Sequence, residues 1–584
     1  MEREVLKNLI DVAAGRKPAD LCIRNCKVVD VFNKEIFESD VYIADGLIAG
    51  FGPKGDENPD FPKATEEFDA NGRYLAPGFI DSHVHIESSH VSPAEFSKLV
   101  VPHGTTTVIA DPHEICNVCG LDGIDYMLAA SENIALQVFL QFPSCVPATP
   151  FENAGAVLGP SEIRSRINNS RILGLGELMN FVGTCAGDDE IVDKIMEAKK
   201  VGKVIDGHSP NLHGYMLDAY AASGVCTDHE CATPEELRDR TRRGIYVLLR
   251  QGTACHDVLN LLPGVDSKNE ELCLFCTDDR QASSLVHEGH IDNNIRLALG
   301  KDFDPITAIC MATLNASRCF NLRDRGAVSP GLRADLVLFE NIRRLKIDEV
   351  WIGGKHVASD GVYLAQDEHI KPHNVSGRMK VKDFSADRLR LNLKSDLVRT
   401  IKVIPYSVVT EQGSAKIKRN IDGYWERDDQ DICKIAVVER HKGTGNVGLG
   451  LLENFGLKNG AIATSVAHDS HNIIVAGDND ADMTIAVEKL IEMGGGIAVV
   501  KNGEVLDSFA HEIAGLMTDQ SGEYVSERLY EMEMLARKQL HIHPHSDPFM
   551  TLCFMALPVI PQIKITDMGI FNAEEFRLVP VELT

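Results

Sequence analysis

The chain has no uninterrupted apolar run of membrane-spanning length, so a helical membrane protein is not expected. Its opening, MEREVLKNLIDVAAG, lacks the apolar stretch of a secretory signal and reads instead as an amphipathic helix. Basic charge is scarce: 59 Lys and Arg stand against 86 Asp and Glu, a net charge of −27. A surface that acidic repels phosphate backbones and anionic lipid, so neither nucleic acid nor membrane is expected as a partner. A disulfide framework is missing too. The fifteen cysteines are odd in number and scattered along a long chain, which fits reduced thiols and a cytoplasmic location. No segment is of low complexity.

What is present is ample core material. The chain is 44% hydrophobic, and 584 residues exceed one hydrophobic core, so two to four domains are expected. Short alternating runs in LCIRNCKVVDVFNKEIFESDVYIADGLIAGFG predict hairpins, and the same texture returns in GAVSPGLRADLVLFENIRRLKIDEVWIGGKHVASDG. The two pieces suggest one β-sandwich split by an inserted region. That region carries eight apolar runs, each ending in polar residues and followed by a helical segment: LAPGFIDSHVH, TTTVIADPHE, ALQVFLQFPS, ILGLGELMN, KVIDGHSP, GVCTDHE, GIYVLLRQG and LCLFCTDD. Near-continuous apolar strands alternating with helices indicate a parallel sheet buried on both faces. Eight units in about 250 residues fit a closed (β/α)8 barrel. The expected fold class is therefore α/β: a (β/α)8 barrel at 77–325, a β-sandwich split between 1–76 and 326–376, and a C-terminal α/β domain at 385–584. DEHIKPHNVSGRMKVKDFSADRL reads as a linker.

Chemistry gathers at the ends of those runs, where such barrels carry it. The first run supplies His83 and His85, the second Asp111 and His113, the fourth Glu177, and the fifth His208. The sixth supplies His229 and Glu230, and the last Asp278 and Asp279. Imidazoles and carboxylates converging at one barrel mouth make a ligand set for one or two divalent cations, of the kind that suits zinc, manganese or iron. Glu177, from the middle strand, is a candidate bridge. Water on such cations ionises near neutral pH, and a neighbouring carboxylate shuttles protons. The reaction class is hydrolysis of a C–N or C–O bond at an electrophilic carbon.

PGFIDSHVHIE, flanked by split sandwich halves and followed by His, His and Asp at strands five, six and eight, resembles the amidohydrolase superfamily. APGFIDSHVHIESS, GTTTVIADPHEICNVCG, LGELMN, DGHSP, TDHE and FCTDD, with HKGTGNVGLG and HDSHNIIVAGDNDADM, resemble the bacterial adenine deaminase branch over essentially the whole length. The resemblance implies two divalent ions per chain, manganese or iron. His83 and His85 would hold the more buried ion, Glu177 would bridge, and His208 and His229 would hold the second. Asp278 would ligate and shuttle protons, and Glu230 would protonate a ring nitrogen. Many relatives bridge with a carboxylated lysine; Glu177 in its place argues against the dihydroorotase and hydantoinase branches. Asp111 and His113 are left to substrate binding or an additional metal. The implied reaction is hydrolysis of adenine to hypoxanthine and ammonia in purine salvage, by a homodimer or larger assembly. The alternatives are another amidohydrolase reaction on a different nucleobase or cyclic amide, and a scaffold that has lost its metals.

Other features have plainer readings. His90 and His103 read as surface or locally hydrogen-bonded residues, and Asp279 as a support for a ligand or a helix cap. Asp81 reads equally as orienting a ligand or capping the strand. HIE with CNVC echoes the other zinc deaminase signature but lacks its proline and leaves His208, His229 and Asp278 unused. GTGNVG would need a following helix to be a dinucleotide fingerprint. HDSHN and HIHPHSD could touch the barrel mouth or bind metal, but their plainer reading is surface loops.

Overall fold

Strands from both sides of the central region meet in one sheet. The computed structural model describes residues 2–52, 63–405 and 407–583. After the expected first helix (Arg3–Ala13), strands Leu21–Asp30, Glu35–Ala44 and Leu47–Gly52 pair antiparallel. Tyr74–Pro77 lies parallel to the first of these and antiparallel to Leu336–Phe339, with Leu75 opposite Leu338. Ile347–Ile352 and Lys355–Ser359 extend the same sheet. Alternate residues on one face, among them Ile23, Val28, Val41, Leu75, Leu336 and Trp351, share a buried core. The split β-rich flanks are thus one body.

The central region is a curled parallel sheet whose strands coincide with the eight apolar runs. They are β1 (Phe79–His85), β2 (Thr105–Ala110), β3 (Gln137–Phe142), β4 (Ile172–Leu178), β5 (Val204–Gly207), β6 (Thr227–Asp228), β7 (Tyr246–Arg250) and β8 (Cys273–Cys276). β1 to β5 pair in order, and β6 to β8 pair in order. Beyond β8, Asp278 and Asp279 pair with Val84 and His85 of β1. Between β5 and β6 the Cys226 N–H donates to the Ile205 carbonyl at 3.0 Å. Gly207 permits that approach, since a Cβ there would lie 2.2 Å from the Thr227 carbonyl oxygen. The inward residues Ile80, Ile109, Leu248 and Leu274 form one buried cluster beneath the mouth. Outward residues such as Phe79, Val84, Val108 and Val247 pack in another with the surrounding helices. Burial on both faces is why these runs read as continuous apolar segments.

The last third of the chain forms an eight-stranded, mostly antiparallel sheet, in which only Leu397–Val403 and Val447–Glu453 run parallel. Helices Asp480–Met493, Gly522–Leu540 and Pro548–Phe554 accompany it. GTGNVG is the turn between Ile432–Val438 and Val447–Glu453, with Val438 opposite Val447. A strand follows it rather than a helix, so the dinucleotide fingerprint is not met. Among the described residues no helix is long and apolar enough to cross a membrane.

Candidate metal centre and active site

The two histidines that end β1 define the centre. His83 Nδ1 lies 2.9 Å from Asp206 Oδ2, and His85 Nδ1 lies 2.9 Å from the Asp111 carbonyl oxygen. Both partners only accept, so each ring keeps its proton on Nδ1 and turns Nε2 inward. Those two Nε2 atoms are 3.1 Å apart. Nitrogens that close need a proton or a cation against them.

Glu177, from the end of β4, serves two histidine pairs with its two oxygens. Its Oε1 is 3.2 Å from His83 Nε2 and 3.1 Å from His85 Nε2. Its Oε2 is 2.8 Å from His208 Nδ1 and 3.4 Å from His229 Nε2. Asp278 Oδ1 stands 3.1 Å from His85 Nε2, completing the first group. All these side chains are buried. Glu177 Oε1 has no hydrogen-bond partner among the described residues. Orphaned buried acceptors in an imidazole and carboxylate set are what bound cations satisfy, and ligand atoms of His83, His85 and Glu177, and of Glu177, His208 and His229, approach closely enough to share an ion. The residues therefore fit two divalent cations.

Electrostatics agree. Burial alone would depress the His83 ring, yet Glu177 and Asp206 outweigh it and lift its pKa well above the usual range. Burial would raise Glu177, but His229 and His83 hold it well below the ordinary carboxylate value. The pocket thus favours positive charge among its imidazoles, the charge that cations supply.

The supporting groups are specific. Asp206 at the end of β5 orients His83 and is itself held by the Thr227 hydroxyl. Asp228 accepts from the Glu230 backbone N–H at 3.0 Å and pairs with buried Arg240 at 3.0 Å. Asp111 Oδ2 accepts the Glu177 N–H at 2.9 Å, a fit that requires Gly176, where a Cβ would sit 2.2 Å from that oxygen. Asp81 receives the backbone N–H groups of His83 and Thr277 and so ties β1 to the end of β8. Asp279 accepts the Ser88 hydroxyl at 2.5 Å; it does not cap the next helix, whose N-cap is Gln281. Substituting Asp206→Asn should lower metal affinity about 10–100-fold by releasing His83. Metal retained per chain during titration with a chelator measures it; unchanged retention would show that His83 holds its orientation without Asp206.

Arg250, at the end of β7, was not among the residues the sequence singled out. Its Nη1 is 2.5 Å from Glu230 Oε1 and 3.0 Å from Asp278 Oδ2, and its Nε is 3.0 Å from Asp257. One guanidinium thus joins the two carboxylates expected to move protons. Burial would raise Glu230, but Arg250 and His208 hold it below its usual pKa. The signal was available: Arg250 is a charged residue ending an apolar run, the same cue that found the histidines.

His113 stands beside the centre, its Nδ1 3.6 Å from both Asp111 Oδ1 and Glu177 Oε1. Next to it the expectation for HDSHN is overturned. His468, Asp469 and His471 are buried, because the C-terminal sheet presents this loop to the mouth. His468 Nδ1 lies 2.6 Å from Glu114 Oε1, and His471 Nε2 bonds Glu114 Oε2. His471 Nδ1 accepts the Ala467 N–H at 3.0 Å, so its Nε2 keeps a proton and donates. This group is a hydrogen-bonded seam rather than a third ligand set. His90 is likewise buried, facing His511 of the same segment at 3.3 Å, whereas His103 pairs locally with Asp292. In HIHPHSD, His543 pairs with Asp431 at 2.7 Å, away from the mouth. Cys116 and Cys119 lie on the helix His113–Cys119 with buried thiols whose pKa values burial raises, as packing cysteines should.

Residues 74–357 match the family model described as "Amidohydrolase family", and 407–577 match "Adenine deaminase C-terminal domain". The chain is 51% identical to "Adenine deaminase 2" of Desulfotalea psychrophila, covering 100% of both chains. The chain belongs to the adenine deaminase family. A second member, "Adenine deaminase" of Nitratidesulfovibrio vulgaris, is 48% identical over 99% of each chain. Among solved structures, an enamidase aligns with 58% of this family member and 96% of its own chain, at TM-score 0.45 and 17% identity. An adenosine deaminase from Xanthomonas campestris with bound zinc aligns with 60% and 95%, at TM-score 0.43 and 14% identity.

Proposed function

We propose that this family member hydrolyses adenine to hypoxanthine and ammonia at a centre of two divalent cations, manganese or iron. The observation that carries the reading is Glu177, whose two oxygens each face a different histidine pair. In this reading the two parallel sheets close into one (β/α)8 barrel through the Cys226 to Ile205 hydrogen bond and the pairing of Asp278 with Val84. The barrel spans about 77–325, the split sandwich 1–76 and 326–376, and the C-terminal unit 385–584.

His83, His85, Glu177, His208, His229 and Asp278 would hold the two cations. When bound, such cations would lower the pKa of a nearby water and polarise the electrophile. Asp278, held ionised by His83, His85 and Arg250, would take one proton from the attacking water and pass it to the departing amine. Glu230, also ionised beside Arg250, would take the second from the hydroxyl added to the carbon and deliver it to the adjacent ring nitrogen. The atoms balance: water adds its oxygen to the carbon, the C–N bond breaks, and ammonia leaves. Asp111 positions Glu177 through its backbone, and His113 lines the substrate side of the centre.

The cavity over the centre, about 420 Å³, suits a small heteroaromatic ring. Protein purified with manganese supplied should convert adenine to hypoxanthine, followed by absorbance, with metal near two per chain in the same sample. Metal without turnover of adenine would keep the centre and reject the substrate.

A further inference from the structure

The metal ligands form only part of the cavity wall. Barrel residues such as Met179, Asn211 and Arg250 supply more of it, and the C-terminal segment adds another side: His468, Phe554, Leu557, Ile560 and Gln562 line the same space as Glu177, His229 and Asp278. His468 and Phe554 stack on each other, ring centroids 4.7 Å apart and 27° between planes. Both are buried, and His468 is pinned by Glu114.

Gln562 is held from several sides. Its backbone N–H donates to the Thr410 carbonyl at 2.9 Å, and its own carbonyl accepts from Ala573 at 2.8 Å. Its side-chain oxygen accepts the Gln412 N–H at 3.2 Å. That bond fixes the carboxamide and leaves its NH2 end without a partner among the described residues.

Adenine must turn C6 to the metal ligands. The ring atom diametrically opposite C6 is N3, a bare acceptor, so the N3 edge lies farthest from the metal ligands. We infer that this segment is the purine-recognition element, with the His468–Phe554 stack receiving the ring and the Gln562 NH2 donating to N3. The inference rests on adenine being the substrate. Aromatic stacking tolerates any base, whereas the Gln562 bond selects bases with an unsubstituted acceptor at that edge.

The test is a cycle between protein and ligand on the metal-loaded full chain. Gln562→Ala should raise the KM for adenine about tenfold, the value of one hydrogen bond, with metal content unchanged. As competitive inhibitors, 3-deazaadenine should bind the wild type about tenfold more weakly than 7-deazaadenine, and Gln562→Ala should bind the two equally. Phe554→Leu keeps apolar volume but loses the ring face, and should weaken adenine and both analogues alike. A KM within twofold of wild type in Gln562→Ala, or a 3-deaza penalty that survives in it, overturns the Gln562 assignment. Unchanged binding by Phe554→Leu overturns the stack. Wild-type protein that leaves adenine untouched rejects the activity itself, and the inference with it.

Discussion

Glu177→Gln should empty the centre. The variant is expected to carry fewer than one metal per chain and to lose at least about a thousandfold in kcat/KM, the scale of several kcal/mol that metal-centred polarisation provides. The reason is geometric. Four imidazoles approach Glu177 within 3.4 Å, two on each oxygen. Glutamine keeps the shape but replaces one acceptor with NH2, whose hydrogens point at bare imidazole lone pairs or at a cation. Metal analysis and turnover on one preparation decide it. Two metals per chain with activity within tenfold of wild type would remove Glu177 from its bridging role.

Glu230→Gln separates chemistry from metal binding. Glu230 stands 3.5 Å from His229 and 3.7 Å from His208, and its closest partner is Arg250 at 2.5 Å. A glutamine oxygen still accepts from Arg250, so the local structure and both metals should persist. What vanishes is a group that can take up and release a proton, which is worth about 10²–10⁴ in rate. The expected result is two metals per chain, a KM changed little, and a kcat lower by that factor. Near-normal kcat would leave proton transfer to Asp278 alone.

The candidate ligand set was legible because strand ends announce themselves. An apolar run buried on both faces tolerates charge only where it leaves the sheet, so His83, Glu177, His208, His229 and Asp278 stand out at that boundary. Arg250 obeys the same rule and was passed over because a cation does not suggest a metal ligand. Its meaning lies in two carboxylates 20 and 28 residues away, and no local pattern carries that. The order of strands and their alternation with helices were readable from periodicity, as were the two β-rich flanks. HDSHN was not. Histidine, aspartate and serine in a loop have the composition of exposed chain, and only the docking of the C-terminal sheet buries them. The GTGNVG turn shows the opposite failure, a familiar spacing with the wrong element after it.

The seam between Glu114 and His468 and His471 spans 354 and 357 residues of chain. Contacts that distant form late, because the loop they close must first be ordered. During synthesis every proposed metal ligand, up to Asp278, has left the ribosome well before residue 468 is made. The first imidazoles therefore exist for a time without the wall that will cover them, open to ions in the medium. The order of the sequence thus brings the candidate ligands out before the wall that the C-terminal segment adds to the cavity.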